Sequence, residues 1–351
     1  MRIRLAAILV TGLAASGLAL AGCSHPPEKL SPPPRSAEPA LPSPSGSPSP
    51  LVTPSPAPRP AAAVACPVFP ADSVWHRDVS RLPVDRRSAA YVASIGGAKH
   101  LHPDFGSGLI DGGTFGIPVT EIPAGQATVK VSFDYADESD HGPYPIPPNA
   151  KIEGAPVADG DRHVILHDAA HCKAYELYDA HRTGASWHAG SGAIFDLRSN
   201  VLRPAGWTSA DAAGLSILGG LVRYDEVASG RIDHAIRITV PRSQNTYRWP
   251  ARHAASNSAD PALPPMGLRL RLKAGVPIAS LPRTARIIAQ AMKTYGVIVA
   301  DNGSAWFFTG TTDSRWDNDQ LGALKALTGS SFEAVDESSV QVSPNSGAAR
   351  K

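Results

Sequence analysis

The chain lacks every short motif that would name a chemistry. Gly190-Ser191-Gly192 is not the Gly-x-Ser-x-Gly elbow that presents a nucleophilic serine. No glycine-rich loop precedes a lysine in the way that cradles phosphate, and no His-Glu-x-x-His run sets two imidazoles on one helix face. The sequence therefore names no cofactor and implies no metal. An excess of one charge is missing too. Lys and Arg number 33 against 31 Asp and Glu, and setting aside Arg2 and Arg4 leaves a formally neutral remainder. Nucleic-acid binders carry a basic stripe, and none is visible, so nucleic acid is not an expected partner. There is no internal repeat, and no aromatic residue precedes Phe69.

The first residues are built differently from the rest. Arg2 and Arg4 lead an apolar stretch over residues 5–21, which is the layout of a secretory signal removed in the mature protein. At roughly 17 residues the stretch falls short of the ~20 that a membrane-spanning helix needs. Leu20-Ala21-Gly22-Cys23 resembles the bacterial lipobox. That resemblance implies a signal peptide over residues 1–22 and a lipid on Cys23. It also implies a place on the extracytoplasmic face of the cell membrane, held stably when two or more acyl chains (palmitate or its like) are present. Residues 26–60 contain 14 of the 34 prolines. Such a segment cannot bury enough apolar surface to order itself. Residues 23–65 thus read as a lipidated cysteine followed by a disordered, extended stalk.

Residues 66–342 read as one domain, followed by a disordered tail over residues 343–351. With Cys23 lipidated, Cys66 and Cys172 remain as a pair in an oxidising compartment, where a disulfide is expected; two unconnected buried thiols are the alternative. Val129, Val131 and Phe133 alternate with polar residues, the period of a half-buried strand. Residues 163–167 and 173–178 read as a hairpin, and residues 192–197, 221–226, 232–240 and 267–273 as strands. In the last of these Leu268, Leu270 and Leu272 face one way and Arg269, Arg271 and Lys273 the other. Asn302-Gly303 predicts a tight hairpin turn between residues 297–300 and 305–308. Helices are expected over residues 89–95, 282–295 and 319–327. Many strands and few helices predict a mainly β domain, a β-sandwich or jelly roll with peripheral helices.

Several phrases, among them His102-Pro103-Asp104-Phe105-Gly106, Gly142-Pro143-Tyr144-Pro145-Ile146-Pro147 and Ile232-Asp233-His234-Ala235, are similar to an uncharacterised family of secreted proteins from high-GC bacteria. The resemblance spans most of residues 66–336. It implies a single extracytoplasmic domain and carries over no catalytic residues.

Candidate chemistry must then come from the residues. Asp134, Asp137, Glu138 and Asp140 form an acidic loop that could hold Ca²⁺, but it lacks EF-hand spacing and reads as solvated. The histidines at 163, 167, 171, 181 and 188 read as scattered along hairpins. His234, on the apolar face of its strand, reads as a core residue. Glu176 and Tyr178 share a strand face, a carboxylate beside an aromatic ring. Asp196 pairs similarly with Arg198, and Asp225 with Arg223. Glycosidases need two carboxylates flanking the bond. The expected catalytic set is therefore Glu176 with Asp196, Asp225 or Glu226, or Tyr178 or His188 as the base of a lyase. Trp187, Trp207, Tyr224 and Trp249 would stack sugars, with Arg198 and Arg223 as further substrate contacts. The domain is expected to be a polysaccharide hydrolase or lyase. The alternative is a non-catalytic envelope protein that binds glycan or another surface component.

Overall fold

The chain divides into two units, Met1–Pro60 and Ala61–Lys351. The computed structural model describes residues 66–157 and 160–351, so the signal peptide, Cys23 and the stalk lie outside the described residues. Within the second unit strands dominate. The largest sheet orders six of them as His102–Pro103, Phe307–Phe308, Ile236–Val240, Val297–Asn302, Arg269–Leu272 and Phe332–Ala334. Ile236–Val240 and Val297–Asn302 run parallel at its centre. Residues 297–300 are an unbroken apolar run, as suits a parallel strand covered on both faces, while Ile236–Val240 alternates with Arg237 and Thr239. The helix Arg283–Thr294 packs on the Arg269–Leu272 strand and buries Ala285, Ile288, Ala289, Ala291 and Met292. Its return to the sheet passes through Gly296 at φ 71°, where a Cβ would stand 2.3 Å from the Leu270 carbonyl oxygen. Only glycine fits there.

A second sheet orders Ser191–Asp196, Lys173–Tyr178, Val164–Asp168 and Val119–Glu121. Its central hairpin turns at Cys172 (φ 56°), which is disulfide-bonded to Cys66 with a Cα–Cα separation of 5.4 Å. Tyr144, Val164, Leu166, Leu177 and Trp187 form a separate core here. The strands Val131–Phe133, Ser186–Ala189 and His181–Thr183 make a three-stranded ribbon.

The domain is mainly β, as its sequence predicts, with strand pairings of a more varied kind than a jelly roll uses. Jelly rolls are antiparallel, whereas Ile236–Val240 with Val297–Asn302, and His102–Pro103 with Phe307–Phe308, are parallel pairs. Three local expectations are corrected. Residues 221–226 are no strand: Tyr224–Ser229 is a helix, because Glu226 reaches back to accept the Arg223 backbone N–H at 3.2 Å and Gly230 (φ 103°) ends the turn. Asn302-Gly303 closes no hairpin. Phe307–Phe308 crosses to pair with Ile236–Val240 on its other edge, while Gly303 donates to the Val240 carbonyl at 2.8 Å. Residues 343–351 are pinned rather than loose: Gly347 N–H donates to Asn200 O at 2.6 Å, and Trp249 Nε1–H to Ser346 O at 2.7 Å.

The arginine face of Arg269–Leu272 also departs from its sequence reading. Arg269 and Arg271 are 1% and 9% exposed. Residues 74–82 cover them, and the carbonyls of Val74, Val79 and Leu82 accept their guanidinium hydrogens at 2.7–2.9 Å.

Candidate functional site

The structure disperses the carboxylates that the sequence singles out. Glu176 is 0% exposed. Its Oε1 accepts the Ser216 hydroxyl at 2.7 Å and the Leu218 N–H at 3.0 Å, and its Oε2 accepts the Ile217 N–H at 2.8 Å. It therefore anchors the first turn of the helix Ile217–Gly220 and cannot reach a substrate. Asp196 is exposed and caps its own turn through the Arg198 N–H. Asp225 pairs with Arg315 at 2.8 Å, and Glu226 with Arg223 and with the buried His234 at 3.2 Å. Arg223 spends a further hydrogen on Leu218 O at 2.8 Å. His188 lies exposed on the three-stranded ribbon, between Ser132 (2.9 Å) and Asp134 (3.1 Å).

The expected sugar platforms scatter likewise. Trp187 is core. Trp207 sits under the Arg203 guanidinium. Tyr224 packs on Trp316 with Arg315 over its ring. Trp249 is tied to Ser346. Arg198 borders a different groove, beside His171, Lys173 and Tyr175. The five clustered histidines take five separate carboxylates: Glu153, Glu121, Asp168, Asp179 and Asp134.

Of the expected catalytic residues, Tyr178 does line a cavity of chemical interest. This cavity of about 400 Å³ is also lined by Tyr135, Glu138, Asp161, Thr208, His253, Asp301 and Asn302, so both sheets contribute to its wall. Tyr178 closes one strand of the smaller sheet, and Asp301 lies near the carboxyl end of Val297–Asn302 in the larger one. The carboxyl end of a parallel strand is where ligands commonly meet an open sheet.

Each group has a definite electrostatic setting. The Asp301 side chain is 26% exposed and stands 4.0 Å from Arg237 Nη2. Loss of water, then the charge of Asp211, push its carboxyl up to about 6, against the pull of Arg237. Arg237 is fixed beneath, with Nε on the fully buried Asp211 at 2.9 Å and Nη1 on Thr309 Oγ1 at 3.2 Å. Burial pushes the Tyr178 hydroxyl up, helped by Asp161, Asp179 and Asp301. His253 Nδ1 donates to Ala212 O at 2.8 Å, which leaves Nε2 turned toward Glu138 at 3.9 Å. Glu138 itself is held by the Thr208 N–H at 3.0 Å.

His163 backs this wall, with its ring 5.8 Å from that of Tyr178. Its Nδ1 meets Glu153 at 2.5 Å and its Nε2 meets Ala210 O at 3.1 Å. Burial alone would lower its pKa, but the charge and hydrogen bond of Glu153 prevail and raise it to about 9. Both ring nitrogens then donate. His163 is a fixed imidazolium and has no lone pair to act as a base.

Sequence reasoning passed over Asp301, Asp161 and His253, and took Glu138 for part of a solvated loop. One signal was present: Asp301 breaks an otherwise apolar run, Val297-Ile298-Val299-Ala300, at its carboxyl end. No family model matches the chain, and no curated protein or solved structure is similar to it.

Proposed function

We propose that the domain hydrolyses glycosidic bonds by acid–base catalysis in the cavity around Asp301, on the outer face of a membrane to which a lipid on Cys23 holds it. The observation that carries this reading is the unlike pair of carboxyl environments on one cavity wall. Asp301 is sheltered, beside the charge of Asp211, and keeps its proton to higher pH. Glu138, held by the Thr208 N–H, and the exposed Asp161 line the same space. Separated carboxyl environments assign the acid and the base in glycosidases. Asp301 would protonate the departing glycosidic oxygen, and Glu138 or Asp161 would take the proton of the attacking water or attack the anomeric carbon. Tyr135 and Tyr178 offer ring faces and hydroxyls to the sugar.

The lyase alternative fits less well. A lyase needs a positive group to neutralise the uronate carboxylate, and among the described residues the lining contains neither Lys nor Arg. A binding-only role draws on the same tyrosines and is told apart by the products. The test is to incubate the purified chain with envelope and extracellular glycans and to chromatograph what is released. Asp301→Asn should lower kcat by about 10²–10⁴-fold, the usual worth of a positioned acid. The rate should fall as pH rises through about 6. Binding without release supports the binding role. Release that survives Asp301→Asn overturns the assignment.

A further inference from the structure

Hydrogen-bonding capacity around this cavity is unbalanced. Glu138, Asp161 and Asp301 are acceptors when ionised, and Asn302 joins them: its Nδ2 is spent on Ala255 O at 2.9 Å, while its Oδ1 is shielded and receives no donor among the described residues. Nearby, Asp104 is also pushed up, first by loss of water and then by the charges of Glu153 and Asp161. The neighbouring cations do not balance this field. Arg237 is engaged by Asp211, and the His163 imidazolium by Glu153. The Asp161 side chain is exposed and has no hydrogen-bond or ion-pair partner among the described residues, where only its backbone carbonyl is engaged, by the Asp179 N–H at 2.9 Å; the Tyr135 and Tyr178 hydroxyls are equally unengaged there. The lining thus offers many acceptors and few donors. A carboxylate, sulfate or phosphate would add acceptors and like charge. An ammonium supplies three donors and the opposite charge.

We infer that the cavity selects sugars bearing a free amine over N-acetylated or acidic ones, and that Asp161 is the residue that reads the amine. The inference rests on the hydrolase reading of the same cavity but concerns binding, so the two can fail separately. At pH 6 the chain is titrated calorimetrically with a β-1,4-linked glucosamine tetramer, its N-acetylated counterpart and a uronic-acid oligomer. The glucosamine tetramer should bind about tenfold more tightly than the N-acetylated one, a preference worth ~1.4 kcal/mol. Added salt should weaken it, since the contact is ionic. Asp161→Asn should collapse that ratio to near one. Equal affinities, tighter uronate binding, or a preference that survives Asp161→Asn would each overturn the inference. Glycan cleavage lost in Asp301→Asn beside equal affinities would leave the hydrolase standing and the amine selectivity refuted. A chain that binds none of the three would overturn the inference, and one that also releases nothing from the envelope and extracellular glycans would overturn both.

Discussion

Replacing Glu176 by Gln separates a structural carboxylate from a catalytic one. The glutamate accepts three hydrogen bonds at 2.7–3.0 Å and is fully buried. A glutamine of the same shape offers one acceptor oxygen and an NH₂. That NH₂ must face either the Ile217 N–H, or the Ser216 hydroxyl and the Leu218 N–H. One or two bonds to a charged acceptor are lost at about 1.5–3 kcal/mol each, and the buried donors stay unmatched. An offset arises because burial pushes the Glu176 carboxyl up, so its charge is itself costly and the neutral amide relieves that cost. The net expectation is a destabilisation of about 2–4 kcal/mol, or roughly 3–7 °C in Tm for a domain of this size. Thermal and urea unfolding of the wild type, Glu176→Gln and Ser216→Ala measure it. Ser216→Ala removes one donor to that carboxylate and the oxygen that accepts the Gly219 N–H, and should cost about 1.5–3 kcal/mol. An unchanged Tm in Glu176→Gln, together with lost glycan turnover, would refute this reasoning and return Glu176 to the chemistry.

Two further outcomes follow from the charged interior and the disulfide. His163 has its pKa raised from 6.5 to about 9, so its contribution to stability is complete below pH 6.5 and is lost as pH rises through 9. The loss is about 3 kcal/mol at 1.36 kcal/mol per unit, and it should appear in urea midpoints at pH 6 and pH 10. Glu153→Gln should flatten that difference, and a flat wild-type profile would contradict the buried imidazolium. The Cys66–Cys172 bridge closes a separation of 106 residues. Cys172→Ser should therefore cost up to ~4.7 kcal/mol in the chain-entropy account, read as a lowered Tm that added reductant does not lower further.

What could be read in the sequence is what local pattern decides. The hairpin over Val164–Asp168 and Lys173–Tyr178, the helix Arg283–Thr294 with Gly296 behind it, and the Cys66–Cys172 pairing are all present. Each depends on periodicity, a stop residue or cysteine arithmetic. What failed depends on segments distant in sequence. Arg269 and Arg271 alternate as a solvated strand face would, yet residues 74–82 lie across them. Glu176 shares a strand face with Tyr178, yet the turn at Ser216 closes over the glutamate and leaves the tyrosine at the cavity. Residues 221–226 have a strand-like run of apolar and charged residues, but Glu226 stands where it caps a helix. The site combines Glu138, Asp161, Tyr178, His253 and Asp301 from five separate stretches, and no spacing rule joins them.

The contrast between the buried arginines gives the physical case for locating function at Asp301. Arg269 and Arg271 direct guanidinium hydrogens to the backbone carbonyls of Tyr295, Val74, Val79 and Leu82, which ties the covering segment to the sheet. Their burial is accounted for by structure alone. They also pair with Glu337 at 3.2 Å and Glu333 at 2.8 Å, as Arg237 pairs with Asp211 and Thr309. Arg237 differs in its remaining Nη2, which stands 4.0 Å from the cavity-lining Asp301, too far for a hydrogen bond. Nothing in that arrangement ties two segments that apolar side chains could not join equally well, and well-packed apolar replacements of buried ion pairs are often neutral or stabilising. Yet Asp211, Arg237, Asp301, His163 and Glu153 sit together behind one cavity wall, two of them with pKa values displaced by more than two units. Displaced ionisable groups gathered at a cleft mark functional sites more often than structural ones. The Arg237–Asp301 contact is incomplete at 4.0 Å, so Arg237 offsets only part of what loss of water and the charge of Asp211 do, and the Asp301 carboxyl stays raised to about 6.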